Sequence, residues 1–120
     1  MAREVGRLSA SVIKLLGLQL KANQPIYMGE SNISHMESRH PVDYAKYGQY
    51  IPDILSKPDY VGENPKDGSI EYVKEFQIDN EFVKVAVRLS GGGALYARSL
   101  YVLNNNRVAN FIKKGTLKKV

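Results

Sequence analysis

The sequence predicts an α+β domain in which N-terminal helices pack on one face of a curved antiparallel β-sheet and a short helix closes the chain. Two changes of pattern carry this reading. Apolar residues recur at helical spacing in the first half, whereas from Asp59 onward they alternate with period two. The alternating runs are separated by short turn-forming stretches, which joins successive strands as antiparallel neighbours. Helices first and strands second is the α+β order, and 120 residues make one domain, 1–120, around one core.

In the first segment, 1–24, Leu8, Val12, Leu15, Leu16 and Leu20 form one stripe, predicting an amphipathic helix over residues 7–20 with Ser9 or Ser11 as its cap. The second segment, 25–58, opens with a brief strand, Pro25 to Gly29, followed by a helix capped by Ser31 or Asn32 and reaching Arg39. Pro41 ends that helix and suits the first turn of a third, whose Tyr44, Tyr47, Ile51 and Leu55 share a stripe and which Pro52 kinks or restarts.

The sheet occupies 59–104. Tyr60-Val61 is a short strand, Asn64 to Gly68 a turn by residue type, and Ser69 to Gln77 the next strand. Asp79-Asn80 reverses the chain. From Phe82 to Leu89, Val83, Val85, Val87 and Leu89 take a dry face, and Lys84, Ala86 and Arg88 a wet, basic one. Gly91 to Gly93 lead into a fourth strand, Ala94 to Leu103. In the last segment, 105–120, Val108, Phe111 and Ile112 predict a helical turn before Gly115.

Apolar residues at 43% and charged residues at 24% fit a soluble globular chain and not a disordered one. The absence of cysteine rules out disulfides and thiolate zinc sites, and a reducing, cytoplasmic setting is expected. The longest apolar stretch, Val12 to Leu20, is interrupted by Lys14, Gly17 and Gln19 and falls short of the roughly 20 residues that cross a bilayer. No membrane partner is expected. The net charge of +5 is unevenly spread: all 12 acidic residues lie at or before Glu81, so residues 82–120 carry +8 and the rest −3. A one-signed surface of this kind attracts polyanions, nucleic acid foremost. Lys84, Arg88, Lys113 and Lys114 are the candidates for binding nucleic acid.

The two histidines, His35 and His40, are the residues best matched to proton transfer near neutral pH. On one helix, His35 lies about 40° from Arg39 while His40 returns to the side of Ile33 and Met36. Two arrangements therefore stand open. His35 and Arg39 form an acid-base and phosphate-binding pair, or His40 leaves the helix end and turns onto the wet face of the sheet. In the fourth strand, alternation sends Arg98 to one face and the pair Ser99 and Tyr101 to the other. Arg98 is costly to bury unpaired, so it is expected beside Lys84 and Arg88 as an anion site. Cross-strand salt bridges to Glu71 or Glu75 compete with that role, and Lys74 carries the same ambiguity. Gly91 to Gly93 lacks the following Lys and helix of a phosphate-binding loop. The carboxylates are not clustered like metal ligands, so neither a metal nor another cofactor is expected.

Ile33-Ser-His-Met36, Arg39-His-Pro41, Tyr44 to Gly48, Pro58-Asp-Tyr-Val-Gly62, Asn64-Pro-Lys-Asp67, Ser69-Ile-Glu-Tyr-Val-Lys74 and Ala97-Arg-Ser-Leu-Tyr101 occur in this order. This series resembles the phage-type barnase, EndoU, colicin and RelE-like (BECR) nucleases, over residues 25 to 120. The resemblance implies helices followed by a curved antiparallel sheet, and metal-independent RNA cleavage by a toxin-like endoribonuclease encoded by a phage or mobile element and acting in the bacterial cytoplasm. It implies catalytic roles for His35 or His40, Arg39, Lys74, Arg98, Ser99 and Tyr101, tRNA or mRNA as target, and a cognate immunity or antitoxin protein. Two other readings share the same electrostatics: a non-catalytic nucleic-acid-binding module, and a phage or mobile-element interaction protein.

Overall fold

A computed structural model describes residues 2–120. The chain begins with β1 (Arg3–Arg7), α1 (Ala10–Leu16), β2 (Pro25–Met28), α2 (Glu30–Arg39) and α3 (Pro41–Tyr47). A 3-10 turn over Gly48–Tyr50 leads to α4 (Ile51–Ser56). Four strands follow, β3 (Tyr60–Glu63), β4 (Ile70–Phe76), β5 (Glu81–Leu89) and β6 (Leu95–Leu103), and then α5 (Asn105–Lys114) and β7 (Leu117–Lys119).

All seven strands join one sheet in the order β1-β2-β6-β5-β4-β3-β7. The meander from β3 to β6 is antiparallel, as its short connections predict. The sheet as a whole is mixed, because β2 lies parallel to β6 through Ile26 against Leu95 and Tyr27 against Tyr96. That corrects the expectation of a purely antiparallel sheet. A parallel pair needs a long crossover, and the helices between β2 and β3 together with the meander supply it.

Two strands carry no pattern legible in the sequence. In β1 only Val5 is buried, and in the three-residue β7 only Leu117 is. Edge strands with one buried side chain have no alternation to detect. The helix predicted over 7–20 is cut to Ala10–Leu16: the Ser9 side chain accepts from the Val12 amide at 3.2 Å, and Gly17 ends the helix at φ 68 in the left-handed region. Leu8, fully buried, and Leu18 and Leu20, half-buried, reach the core from outside the helix.

Helix α2 starts at Glu30, earlier than a Ser31 or Asn32 cap would place it. Asn32 still serves the helix start, because its side-chain oxygen accepts from the Gly29 amide at 2.8 Å. The stripe from Tyr44 to Leu55 breaks at Gly48 and resumes with Pro52 in the first turn of α4. The C-terminal turn is a ten-residue helix, α5, capped by the Asn104 side chain and ended by Gly115 at φ 79.

One face of the sheet, with Ile70, Tyr72, Val83, Val85, Val87, Ala97 and Leu100, builds the main core with Val12 of α1, Met36 of α2, Tyr47 of α3, and Ile54 and Leu55 of α4. On the opposite face Val73, Leu103 and Leu117 form a second, smaller cluster under Val108 of α5. Helices therefore lie on both faces, and α5 partly roofs the wet one.

Two local devices hold this frame. At Gly62, which pairs with Leu117, an added Cβ would sit 2.4 Å from the Thr116 carbonyl oxygen, so only glycine lets β7 approach β3. Gly62→Ala is expected to cost about 1–3 kcal/mol. Hydrogen exchange reads the result: amide protection over Leu117–Lys119 is lost, and wild-type protection there would refute the packing claim.

The second device ties α3 to the β4–β5 turn, where the Lys46 ammonium pairs with Asp79 and Glu81 and the Tyr47 hydroxyl donates to Glu81 at 2.6 Å. Hydrogen bonds from Lys46 and then Tyr47 hold the Glu81 carboxyl below its ordinary range. A carboxyl depressed on folding stabilises above its unfolded pKa and loses that contribution as pH falls through the folded value. The stability of wild type is thus expected to fall more steeply than that of Glu81→Gln below about pH 4.5. Urea midpoints taken from pH 6 to pH 3 check this, and parallel curves would refute it.

Candidate active site

The site rests on a register irregularity. On β5 and β6, Lys84 faces Tyr101 and Ala86 faces Ser99, but the next pairs are Val87 with Ala97 and Arg88 with Tyr96. Arg98 is the extra residue of a β-bulge, two residues on β6 opposing one step on β5. The bulge changes the parity of the strand. Tyr96 and Tyr101, five apart and destined for opposite faces in a regular strand, pair with Arg88 and Lys84 and share the wet face. Alternation placed Ser99 and Tyr101 opposite Arg98. In the fold Ser99 and Tyr101 stand across from Ala86 and Lys84, and Arg98 is the exposed residue at the irregularity.

His40 reaches this face from the junction of α2 and α3. Its amide donates to the Met36 carbonyl at 2.9 Å and its carbonyl accepts from the Tyr44 amide at 2.9 Å, so it closes one helix and opens the next. Pro41 enforces that break, since it cannot continue α2 and suits the first turn of α3. The Asp43 carboxylate accepts from the Val102 amide at 3.0 Å, docking α3 on the edge of β6 beyond the point where β2 stops pairing. The His40 ring thereby stacks on Tyr101, centroids 4.9 Å apart and planes 28° from parallel.

Lys84 approaches the same tyrosine, its Nζ 4.7 Å from the ring centroid. The ammonium donates to Glu71 at 2.8 Å, and both side chains are close to nine-tenths buried, at 12% and 11% exposure. Asn64 adds a long contact to the same carboxylate oxygen, at 3.4 Å. Burial works against the Lys84 charge, but the hydrogen bonds to Glu71 and then to the Tyr101 hydroxyl outweigh it and hold the group above its ordinary value. Lys84 is a cation at any physiological pH.

Beside this cluster lies a cleft of about 380 Å³. Glu71, Lys84 and Tyr101 form its inner wall, α5 contributes Arg107 and Lys114, and the β3–β4 turn contributes Asn64 and Lys66. Four cations against one carboxylate, itself paired, make a site for an anion. Among the described residues no group of three or more His, Asp or Glu gathers as metal ligands.

Of the residues predicted from sequence, His40, Tyr101 and Lys84 come together here, with Ser99 two positions along β6 and Lys114 on the opposite wall. His35 and Arg39 lie exposed on α2 and make no polar contact among the described residues. Lys74 pairs with Val83 on the helical face and donates to the Lys57 carbonyl at 2.9 Å, at the end of α4. Arg88 and Arg98 lie further along the sheet, and Lys113 is exposed on α5. The competing cross-strand salt bridge to Glu71 is realised at Lys84, while Asn64, Lys66 and Arg107 are site residues that sequence reasoning did not single out. The β4–β5 pairing carries Glu71 beside Lys84 from 13 residues away, whereas the turn and α5 residues arrive through tertiary packing.

A small α+β domain with a cation-lined cleft on the open face of its sheet defines a class: a domain built to hold a polyanion. Residues 3–110 match the model of the PBECR3 family, described as phage-Barnase-EndoU-ColicinE5/D-RelE like nuclease3, and the chain belongs to that family. Nuclease membership makes its substrate a nucleic acid. Neither the curated proteins nor the solved structures offer a match. Among the described residues no helix is long and apolar enough to cross a membrane.

Proposed function

We propose that the chain is a metal-independent endoribonuclease in which His40 transfers protons and Lys84 stabilises phosphoryl charge, with Tyr101 aligning the two. The observation that carries the reading is the contact of the His40 ring and the Lys84 ammonium with one tyrosine, which together with Lys84 lines a cationic cleft. The ribose 2′-hydroxyl attacks its neighbouring phosphorus, losing its proton to His40 as the new P–O bond forms. The 5′ oxygen leaves with the electrons of the broken bond and takes a proton from water, and His40 returns its proton to solvent. Lys84, with Arg107 and Lys114 across the cleft, faces the charge that grows on the phosphoryl oxygens. RNA brings its own nucleophile, which is why DNA should survive.

His35, Arg39 and Arg98 are read as positions that meet the substrate outside the cleft, Ser99 as a neighbour of the reacting phosphate, and Lys74 as a helix-terminal brace. Arg88, Lys113 and Lys114 are read as phosphate contacts. A target such as tRNA or mRNA, a cytoplasmic site of action and a toxin-like role with an immunity protein over the cleft belong to the same proposal.

Bulk RNA incubated with the chain in excess chelator is expected to be degraded to fragments with 2′,3′-cyclic phosphate and 5′-hydroxyl ends, while single-stranded DNA survives. Intact RNA, or equal loss of DNA, would refute the reading. Binding of RNA without cleavage would mark a non-catalytic module instead.

A further inference from the structure

Away from the cleft, the wet face continues toward β2, where two tyrosines with no assigned role lie beside Arg88 and Arg98. Tyr27 and Tyr96 are register neighbours across the parallel β2–β6 pair, with ring centroids 6.1 Å apart and planes tilted by 45°. Both are half-buried, so each ring is seated on the sheet with part of its surface in solvent. Arg88 is the cross-strand neighbour of Tyr96 on the other side. Arg98, turned out by the bulge, lines a shallow depression with Tyr96, into which Glu30 and Ser31 of α2 also face.

Both guanidinium groups are exposed, and neither has a hydrogen-bond or ion-pair partner among the described residues. The Asp67 carboxyl is held below its ordinary range first by hydrogen bonds from Ser69, and the charge of Arg88 contributes less. Two unpaired forked cations thus flank two partly exposed aromatic rings on a rigid sheet. From Arg88 to Lys84 along β5 is four residues, roughly 13 Å, a span of about two nucleotides in an extended strand. Between them the floor is made by Ala86 and Ser99, which are small and raise no wall.

We propose that this part of the sheet is a single-strand subsite, in which Tyr27 and Tyr96 stack unpaired bases of the substrate while Arg88 and Arg98 hold the adjoining phosphates. Rings tolerate any base, whereas guanidinium groups grip phosphate, a division of labour found where single strands are bound without sequence preference. A duplex keeps its bases stacked on one another and offers the tyrosines nothing. The proposal rests on the nuclease reading for its continuity with the cleft, but its test does not require cleavage.

The probe is a fluorescein-labelled, mixed-sequence 2′-O-methyl RNA hexamer, which has no free 2′-hydroxyl and cannot be cut. Its affinity is measured by anisotropy over a range of salt concentrations. Tyr27→Ala and Tyr96→Ala are each expected to weaken binding about tenfold, with Tyr27→Phe and Tyr96→Phe within about twofold of wild type. The alanine variants should leave the slope of log affinity against log salt unchanged, since no phosphate contact is lost. Arg88→Ala and Arg98→Ala should each reduce that slope by about 0.7. A blunt duplex of the same sequence should bind at least about tenfold more weakly.

Unchanged affinity in both tyrosine-to-alanine variants with intact thermal unfolding, equal losses in the phenylalanine and alanine variants, or duplex binding as tight as the single strand would each overturn the subsite. If the hexamer does not bind wild type, the subsite also falls. Failure of RNA cleavage together with the pattern above would remove the catalytic reading and leave the subsite standing.

Discussion

His40→Ala is expected to lower RNA cleavage by about 10²–10⁴-fold, the usual worth of a positioned general base. Lys84→Ala should cost about 10²–10³-fold by withdrawing a fixed charge from the phosphoryl oxygens. Both expectations rest on one geometry: a single tyrosine ring carries the imidazole at 4.9 Å and the ammonium at 4.7 Å. Single-turnover cleavage of a labelled RNA, with unfolding curves for each variant, measures the effect. His35→Ala separates the two arrangements that the helix spacing left open. If it is as damaging as His40→Ala, the assignment to His40 is wrong. Cleavage by Lys84→Ala at the wild-type rate would remove the electrostatic role.

The largest expected loss of stability is at Glu71. Its carboxylate and the Lys84 ammonium are almost fully buried at 2.8 Å, and removing one partner leaves the other charged and desolvated. Glu71→Ala is therefore expected to destabilise by about 3–5 kcal/mol. For a domain of this size that lowers the unfolding midpoint by roughly 10 °C or more. The double variant Glu71→Leu/Lys84→Met should recover most of the loss, since paired apolar groups of similar volume avoid the penalty. Calorimetry decides it: a midpoint shift under about 2 °C in Glu71→Ala would show that water reaches the pair. Glu71→Ala also loosens Lys84 over Tyr101, so its cleavage rate should fall even in the cold, where the variant is folded.

Much of the layout was legible before any coordinates. The period-two run through Val83, Val85 and Val87 put Lys84, Ala86 and Arg88 on the wet face, where they are found. Pro41, Pro52 and Gly115 marked breaks that the helices respect, whereas the break at Gly48 was not marked. The edges were not legible: Val5 in β1 and Leu117 in β7 are single buried residues in otherwise polar strands. The overlong first helix has the same kind of cause, because Leu8, Leu18 and Leu20 fall on a helical stripe by spacing yet reach the core from flanking chain.

At the site the division is sharper. Histidine spacing and Pro41 left His40 free to turn toward the sheet, but its partner depends on a bulge. Periodicity counts residues along one strand, and a bulge inserts a residue relative to the neighbouring strand, so the face of Tyr96 against that of Tyr101 is invisible to it. Local patterns thus settle the types of the interior elements, the dry and wet faces of β5 from Val83 to Arg88 and the cationic end of the chain, since these depend on neighbours within a turn or two. Strand pairing alone decides that β2 runs parallel to β6, that Glu71 meets Lys84, and that α5 and the β3–β4 turn wall a cleft beside Tyr101. Those contacts join residues far apart in the chain, and their register is chosen by the burial of the whole sheet.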